Sequence, residues 1–485
     1  MAEAATNFVN LILGLSGYRL IETEQMPADD KHPQAYTLMH MEDEEEAPTE
    51  CPRCHSKLYK HTSRQIQITS SPIDGKPVVL DIRFPRRRCR QCGYVWKADM
   101  QGIDDHHKMT KSAYVNITQK ALVSTFDQVG LEFGLSGNTV KNIFLDFLRD
   151  NDKKLHFATP VFMGIDEIKI RKLGEITVIT DLEHHTLYDM LPGRNQQQLK
   201  AYFAELPDND KVLWVCSDMY RPFENAIGES LPNAKWVIDH FHVVMKANEA
   251  VDAVRKEVQS KMPAKQRVKT KKGLAYTLKT RTSRLTAKDQ SRIRYCRLHE
   301  EYKPLATAFD LKEDFFAIYE DYRDSKDNAR EAFAEWEKRI PADPIYDKFR
   351  ELAKTVNNFY DQIFRLWDCP INISNGFTEC TNRLIRENSI KGRGYSFEVL
   401  RGRTLYRKSN IASLLADNKT AIGPLIRKRA PIFYLEGTSP DEDTDVYDAF
   451  NDDDENDYLN NVQEDNDDFD ISFDPETGEI LEDNE

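Results

Sequence analysis

Nothing in this chain of 485 residues is apolar for long enough to cross a bilayer, because no run approaches the ~20 residues required. The opening MAEAATNFVNLILGL has an early glutamate and no basic n-region, so a secretory signal is not expected. Cysteine is scarce. There are 8, and four of them fall in two CxxC pairs. That usage argues against a disulfide framework and for metal-bound thiolates in a reducing compartment. Basic residues stop altogether at Arg429. Residues 441–485 hold 21 Asp and Glu, and removing them turns the net charge of -14 into about +7 for residues 1–440. A basic body with an acidic tail suits a polyanionic partner rather than a membrane.

What is present reads as several domains, since the chain is too long for one ordinary core. Residues 1–50 read as a short amphipathic helix, roughly Ala5 to Leu15, followed by an acidic linker. Cys51-Pro-Arg-Cys54 and Cys89-Arg-Gln-Cys92 then frame 34 residues with β-type alternation at Gln65–Thr69 and Val78–Phe84. Two such turns offer four thiolates to one tetrahedral ion, the layout of a structural zinc ribbon over 51–100. Zinc binding of ~10–16 kcal/mol would fold so small a unit. Arg86, Arg87, Arg88 and Arg90 crowd the second knuckle and are expected to meet phosphates, the alternative being a solvated charge run.

Residues 108–152 read as a helix-turn-helix. Val129 and Phe133 mark a first apolar face, Gly134 a turn, Ser136 an N-cap, and Val140, Ile143, Phe144 and Phe147 a second face. The second helix would present Asn138, Lys141 and Asn142 to a DNA major groove. The bland alternative is an ordinary helical hairpin.

From Val161 to Asp239 the order is strand, strand, strand, helix, strand, helix, strand. An antiparallel three-stranded start followed by helix-linked strands is a ribonuclease-H-like pattern, whose first part covers 160–244. Asp166 sits inside the first strand between apolar residues, where an unpaired carboxylate is costly. Asp218 ends the apolar strand VLWVCSD. Residues 245–368 read as an all-helical insertion, and Lys246–Arg297 within it holds 16 Lys and Arg against 4 Asp and Glu, suited to a DNA backbone. The core resumes at 369–410, where a helix carries Glu379. Arg383 and Arg386 recur at helical spacing beside it, and Lys391, Arg393, Arg401 and Arg403 continue the basic theme. The bland reading pairs Glu379 with Arg383 on a surface, worth ~0.3–0.5 kcal/mol. Residues 411–440 form a C-terminal extension, and the acidic tail 441–485 is expected to be disordered.

Asp166, Asp218 and Glu379 are hard oxygen donors, which suit two Mg2+ (or Mn2+) ions held ~3.5–4 Å apart for phosphodiester chemistry on double-stranded DNA. The stretches GIDEIKIRKLGEITVITDLEHHTLYDMLPGR, CSDMYRPFENAI, AKWVIDHFHVVMKANEAVDAVRKE and SNGFTECTNRLIRENSIKGRGY resemble the ISL3 family of bacterial insertion-sequence transposases. The resemblance covers about residues 5 to 410. It implies a DDE transposase with Asp166, Asp218 and Glu379 as its triad, acting in the bacterial cytoplasm at the nucleoid. Such an enzyme would bind transposon ends and target DNA, as a homo-oligomer in a synaptic complex. Asp181 and Asp239 fall in family-like motifs and are read as structural or supporting. His240 and His242 are kept out of the metal set. The long acidic tail departs from the family pattern. Two alternatives stay open on residues alone: a non-catalytic DNA-binding regulator, and a metal-dependent nuclease with the same core.

Overall fold

The computed structural model describes residues 9–44, 46–152 and 157–407, apart from the side chains of 264–266 and 268–272. The C-terminal extension and acidic tail anticipated above lie outside the described residues. The described chain forms two compact units. One holds the residues up to Ala158, Ile170–Gly174 and those from Arg383 on, and the other holds Thr159–Lys169 and Glu175–Asn382.

The first unit is built on a seven-stranded sheet. Its strands are β1 (Tyr18–Met26), β2 (Tyr36–Asp43), β3 (Leu58–Ile73), β4 (Lys76–Cys89), β5 (Val95–Lys97), β6 (Ile103–Asp104) and β7 (Met109–Thr110). The order is β1-β2-β4-β3-β7-β6, with β5 also paired to β4. The long β3–β4 hairpin turns at Asp74 and Gly75, both at positive φ, the backbone that an Asp-Gly hairpin turn requires. The linker expected before Cys51 is a correction. Residues 9–13 are helical, but β1 and β2 follow. Strand β2 lies between β1 and β4, so both its edges are paired, and both its faces are packed: Met39 and Met41 join the core of Leu80, Ile82 and Phe84, while Tyr36 and Leu38 pack with Val79 on the opposite side. The acidic residues after Met41 hid this strand. Strand β1 is mostly exposed and polar, as edge strands are.

Three helices follow the sheet in this unit: α1 (Lys111–Ala121), α2 (Phe126–Phe133) and α3 (Gly137–Asp152). Thr125 caps α2, Gly134 ends it in the left-handed region, and the Ser136 hydroxyl accepts the Thr139 N–H at 3.1 Å to start α3. Val129 and Phe133 of α2 and Val140, Ile143 and Phe144 of α3 are buried. Residues near the far end of the chain join them. In α14 (Phe397–Leu405), Arg403 is buried, its guanidinium lies over the Tyr395 and Phe126 rings, and it donates to the Ser124 carbonyl at 2.9 Å. Arg401 pairs with Asp152 at 3.2 Å. These two cations therefore hold helices together, where the sequence had offered them to DNA.

The second unit carries a five-stranded sheet of β8 (Phe162–Ile170), β9 (Gly174–Asp181), β10 (Thr186–Pro192), β11 (Trp214–Ser217) and β12 (Lys235–Ile238), in the order β10-β9-β8-β11-β12. The chain makes an antiparallel meander first, then β11 joins β8 in parallel and β12 joins β11 in parallel. Helices α4 (Gln196–Glu205) and α5 (Arg221–Ser230) make the two crossovers. Seven helices follow, from α6 (His240–Ser260) through α7 (Ala264–Lys279), α8 (Ala287–Leu298), α9 (Lys303–Asp321), α10 (Lys326–Arg339) and α11 (Asp347–Asn358) to α12 (Tyr360–Phe364). Phe315, Phe316, Tyr319, Phe333 and Trp336 form their aromatic core, as expected. Part of the basic surplus in this segment is used internally: Arg255 pairs with Asp252, Arg281 with Glu313, and Arg292 with Asp289.

After this excursion, α13 (Gly376–Gly392) begins against β8. Asn375 donates to the Ile165 carbonyl at 3.0 Å, the Thr378 and Thr180 hydroxyls meet at 2.7 Å, and Asn382 donates to Asp166 at 2.7 Å. The spacing of three and four places 375, 378 and 382 on one helical stripe. Gly164 permits the approach, since a Cβ there would lie 2.4 Å from the Thr180 hydroxyl and 2.6 Å from that of Thr378. Gly164→Ala tests this fit. Reduced backbone freedom in the unfolded chain would favour alanine by ~0.4–1 kcal/mol, but overpacking costs ~1–3 kcal/mol and should win. The variant is expected to unfold at lower denaturant, and an unchanged midpoint would show slack in the helix docking.

Candidate metal centre

Register places three aspartates in a row. On the parallel strands, Cys216 is level with Gly164 and also with Val237. Asp166, Asp218 and Asp239 each lie two residues beyond one of these three, so they stand at the same level across β8, β11 and β12. Asp166 is 6% exposed, with Oδ1 accepting the Glu167 N–H at 2.7 Å and Oδ2 held by Asn382. Burial raises its pKa, against the opposing pull of the His242 imidazole. Asp218 is pushed up to about 6, first by burial, with the Asp166 and Glu167 carboxylates adding to the shift and His242 and Arg194 opposing it. Asp239 is fully buried and accepts the Phe241 N–H at 3.5 Å through Oδ1, at the start of α6.

Glu379 lies one residue past Thr378 in the docked turns of α13. Its Oε1 is 4.0 Å from Nε2 of His242, and Asp239, His242 and Glu379 each offer a ligand atom within 4.8 Å of the other two. Among the described residues, Asp218 Oδ1, Asp239 Oδ2 and His242 Nε2 are buried without a hydrogen-bond partner. Buried acceptors left unpaired in this way cost ~1–3 kcal/mol each or more. A cation held by Asp239, His242 and Glu379 would satisfy the Asp239 and His242 atoms. The donor set is mainly carboxylate, which suits a hard divalent ion. Asp239 and His242 were not placed in the metal set on sequence grounds. Their signal was there: Asp239 ends the strand parallel to the one ending at Asp218, and His242 follows within the first turn of the next helix. Asp181, by contrast, builds a turn, accepting from Glu183 N–H at 3.0 Å and His184 N–H at 3.2 Å. His240 is half-buried, and desolvation lowers its pKa.

The other predicted residues lie in the first unit. Cys51 Sγ is 3.5 Å from Cys92 Sγ, Cys54 Sγ is 3.5 Å from Cys89 Sγ, and all four sulfurs lie within 4.8 Å of one another. A tetrahedral ion with ~2.3 Å bonds spaces its sulfurs by ~3.8 Å, so the cluster can hold one. Arg88 is exposed on β4, with Arg86 and Arg87 half-buried. Asn138, Lys141 and Asn142 are all exposed, one helical turn apart on α3. Arg383, Arg386, Lys391 and Arg393 are exposed as well. No helix among the described residues is long and apolar enough to cross a membrane.

Comparison with known proteins places the chain among transposases of insertion sequences. The transposase from insertion sequence element IS1001 of Bordetella parapertussis is 25% identical over 358 residues, 72% of this chain and 85% of that protein. The transposase from element IS1557 of Mycobacterium tuberculosis (strain H37Rv) is 23% identical over 403 residues, 77% of this chain and 89% of its own length. A family profile described as a transposase, of the ISL3 DDE type, matches residues 163–404, a span that begins one residue before Gly164 and ends inside α14. The chain belongs to the ISL3 family of DDE insertion-sequence transposases.

Proposed function

We propose that this chain cuts the DNA ends of an insertion sequence and joins them to target DNA, with Asp166, Asp218 and Glu379 as the acidic triad in a ribonuclease-H-like core. The observation that carries this reading is the row of aspartates on β8, β11 and β12, with Glu379 brought beside Asp239 and His242 by the docking of α13. The strand order, with the first strand central and the fourth and fifth added in parallel, supports the fold assignment. Two Mg2+ (or Mn2+) ions, when bound, would supply Lewis acidity and a deprotonated water or 3′-hydroxyl. Asp166 is steadied by Asn382 for that task. Asp218 brings an acceptor that has no competing hydrogen bond among the described residues. Asp239 and His242 extend the ligand set or orient Glu379 within it.

The remaining modules would bring DNA to this site. The four cysteines hold a structural Zn2+. Arg86, Arg87 and Arg88 meet phosphates beside it, and α3 offers Asn138, Lys141 and Asn142 to base edges of the terminal inverted repeats. Arg383, Arg386, Lys391 and Arg393 grip the backbone. Synapsis of two ends would require more than one protomer. Work on chromosomal DNA fits a cytoplasmic, nucleoid-associated protein.

Three outcomes test this assignment. Asp166→Asn, Asp218→Asn and Glu379→Gln should each lower Mg2+-dependent cleavage of the element's own ends by about 10³-fold or more while leaving end binding intact. Full cleavage by any one of them removes that residue from the triad. The raised Asp218 carboxyl sets a pH dependence. In metal-free protein its contribution to stability is complete below about pH 3.8 and is lost as pH rises through about 6, whereas the metal takes only the carboxylate. The Mg2+-induced rise in melting temperature should therefore be large at pH 8 and nearly gone at pH 5. Equal rises at both would exclude Asp218 as a ligand. Finally, Cys89→Ser should cost about one equivalent of bound zinc by elemental analysis, and unchanged zinc content would reject the four-thiolate site.

A further inference from the structure

Away from the aspartate row and the four thiolates, a third set of ligand-type side chains converges among the described residues: His106, His107 and Asp146, each with a ligand atom within 4.8 Å of the others. The histidines occupy the turn between β6 and β7, and Asp146 lies in α3, one helical turn beyond Asn142. Asp104 builds the turn in advance. Its Oδ1 accepts the His106 and His107 backbone N–H groups at 3.0 and 3.2 Å, and its Oδ2 takes the His107 ring at Nδ1, 2.6 Å away.

That last hydrogen bond decides the tautomer. With Nδ1 carrying the proton, Nε2 of the neutral ring is a lone pair, and it faces Asp146 Oδ2 at 3.2 Å. Two acceptors so placed repel unless a cation joins them. A proton would do this by making an imidazolium clamp between Asp104 and Asp146, but such a clamp has no use for His106. A metal ion uses all three. With bonds of ~2.0 Å, two ligands of a tetrahedral ion are ~3.3 Å apart, close to the separation seen. A carboxylate behind a ligating imidazole, as Asp104 is here, is the usual support for such a ligand. The His106 ring stands edge-on to that of His107, centroids 4.5 Å apart, and is exposed, so a further coordination position faces solvent. Tyr114 packs on the His107 ring at 4.9 Å, and Arg149 holds the other oxygen of Asp146 at 3.2 Å.

We propose that His106, His107 and Asp146 bind a borderline divalent transition ion such as Zn2+, tying the β6–β7 turn to the helix that presents Asn138, Lys141 and Asn142. Two imidazoles and one carboxylate favour Zn2+, Co2+ or Ni2+ over Mg2+. The test uses the full chain, with one equivalent of Zn2+ already on the thiolates and excess Mg2+ present. Zn2+ uptake is then followed by equilibrium dialysis with elemental analysis. Wild type should take up one further equivalent that His106→Gln and Asp146→Asn bind about tenfold more weakly or worse. The Zn2+-dependent rise in melting temperature should shrink in both. His106→Gln keeps the Asp104 hydrogen bonds, because those from residue 106 use its backbone. Equal uptake by wild type and both variants overturns the proposal. So does an acid-dependent loss of stability in Asp146→Asn without any change in Zn2+ binding, which would identify a proton clamp.

Discussion

The contact on which the second unit depends is the close seating of α13 on β8. A helix that returns after some 140 residues of intervening chain has to find one register on one strand. Three short polar side chains, Asn375, Thr378 and Asn382, set that register against Ile165, Thr180 and Asp166, and Gly164 leaves room for them. Longer side chains on this stripe would lift the helix and carry Glu379 away with it. Asn382 has a double role, since it anchors the helix and satisfies one oxygen of a buried aspartate that burial would otherwise push towards its neutral form.

The helical excursion is tolerable because it has its own core. Trp336 is buried, rings from Phe315 and Phe333 pack on it, and Lys312 spends its ammonium on the carbonyls of Leu278 and Thr280 at the end of α7. Burial lowers that lysine to about 8. Long insertions cost little closure entropy when they fold independently, because the penalty grows only logarithmically with length. The sheet and α13 therefore have only to be joined at their ends.

Much of this was legible in the sequence, for identifiable reasons. The strands of the five-stranded sheet are apolar runs bounded by turn residues, and β11 is buried on both sides, so periodicity found them. The CxxC spacing located the thiolates directly. What was missed lies at β12, at β1 and at α14. Asp239 and His242 join Glu379 because β12 lies beside β11, a pairing that the strand-end positions of Asp218 and Asp239 suggest but do not fix. The β1–β2 pair was missed because β1 is polar along most of its length and is held by its ladder to β2. Arg403 was misread because a buried arginine stacked between aromatic rings has the same letter as one that meets a phosphate.

The burial of Arg403 beside Phe126 and Ser124 delays the completion of this helical core during synthesis. These partners are 279 residues apart. At ~5–20 residues per second, Ser124 and Phe126 leave the ribosome roughly 14 to 56 seconds before the arginine that packs on them. This helical module is among the earlier parts translated, yet it is completed only when α14 arrives, after Glu379. A nascent chain thus completes the packing of α2 and α3 only after Glu379 has been made, so a message broken between the two yields a chain with that glutamate but without the arginine that closes this core.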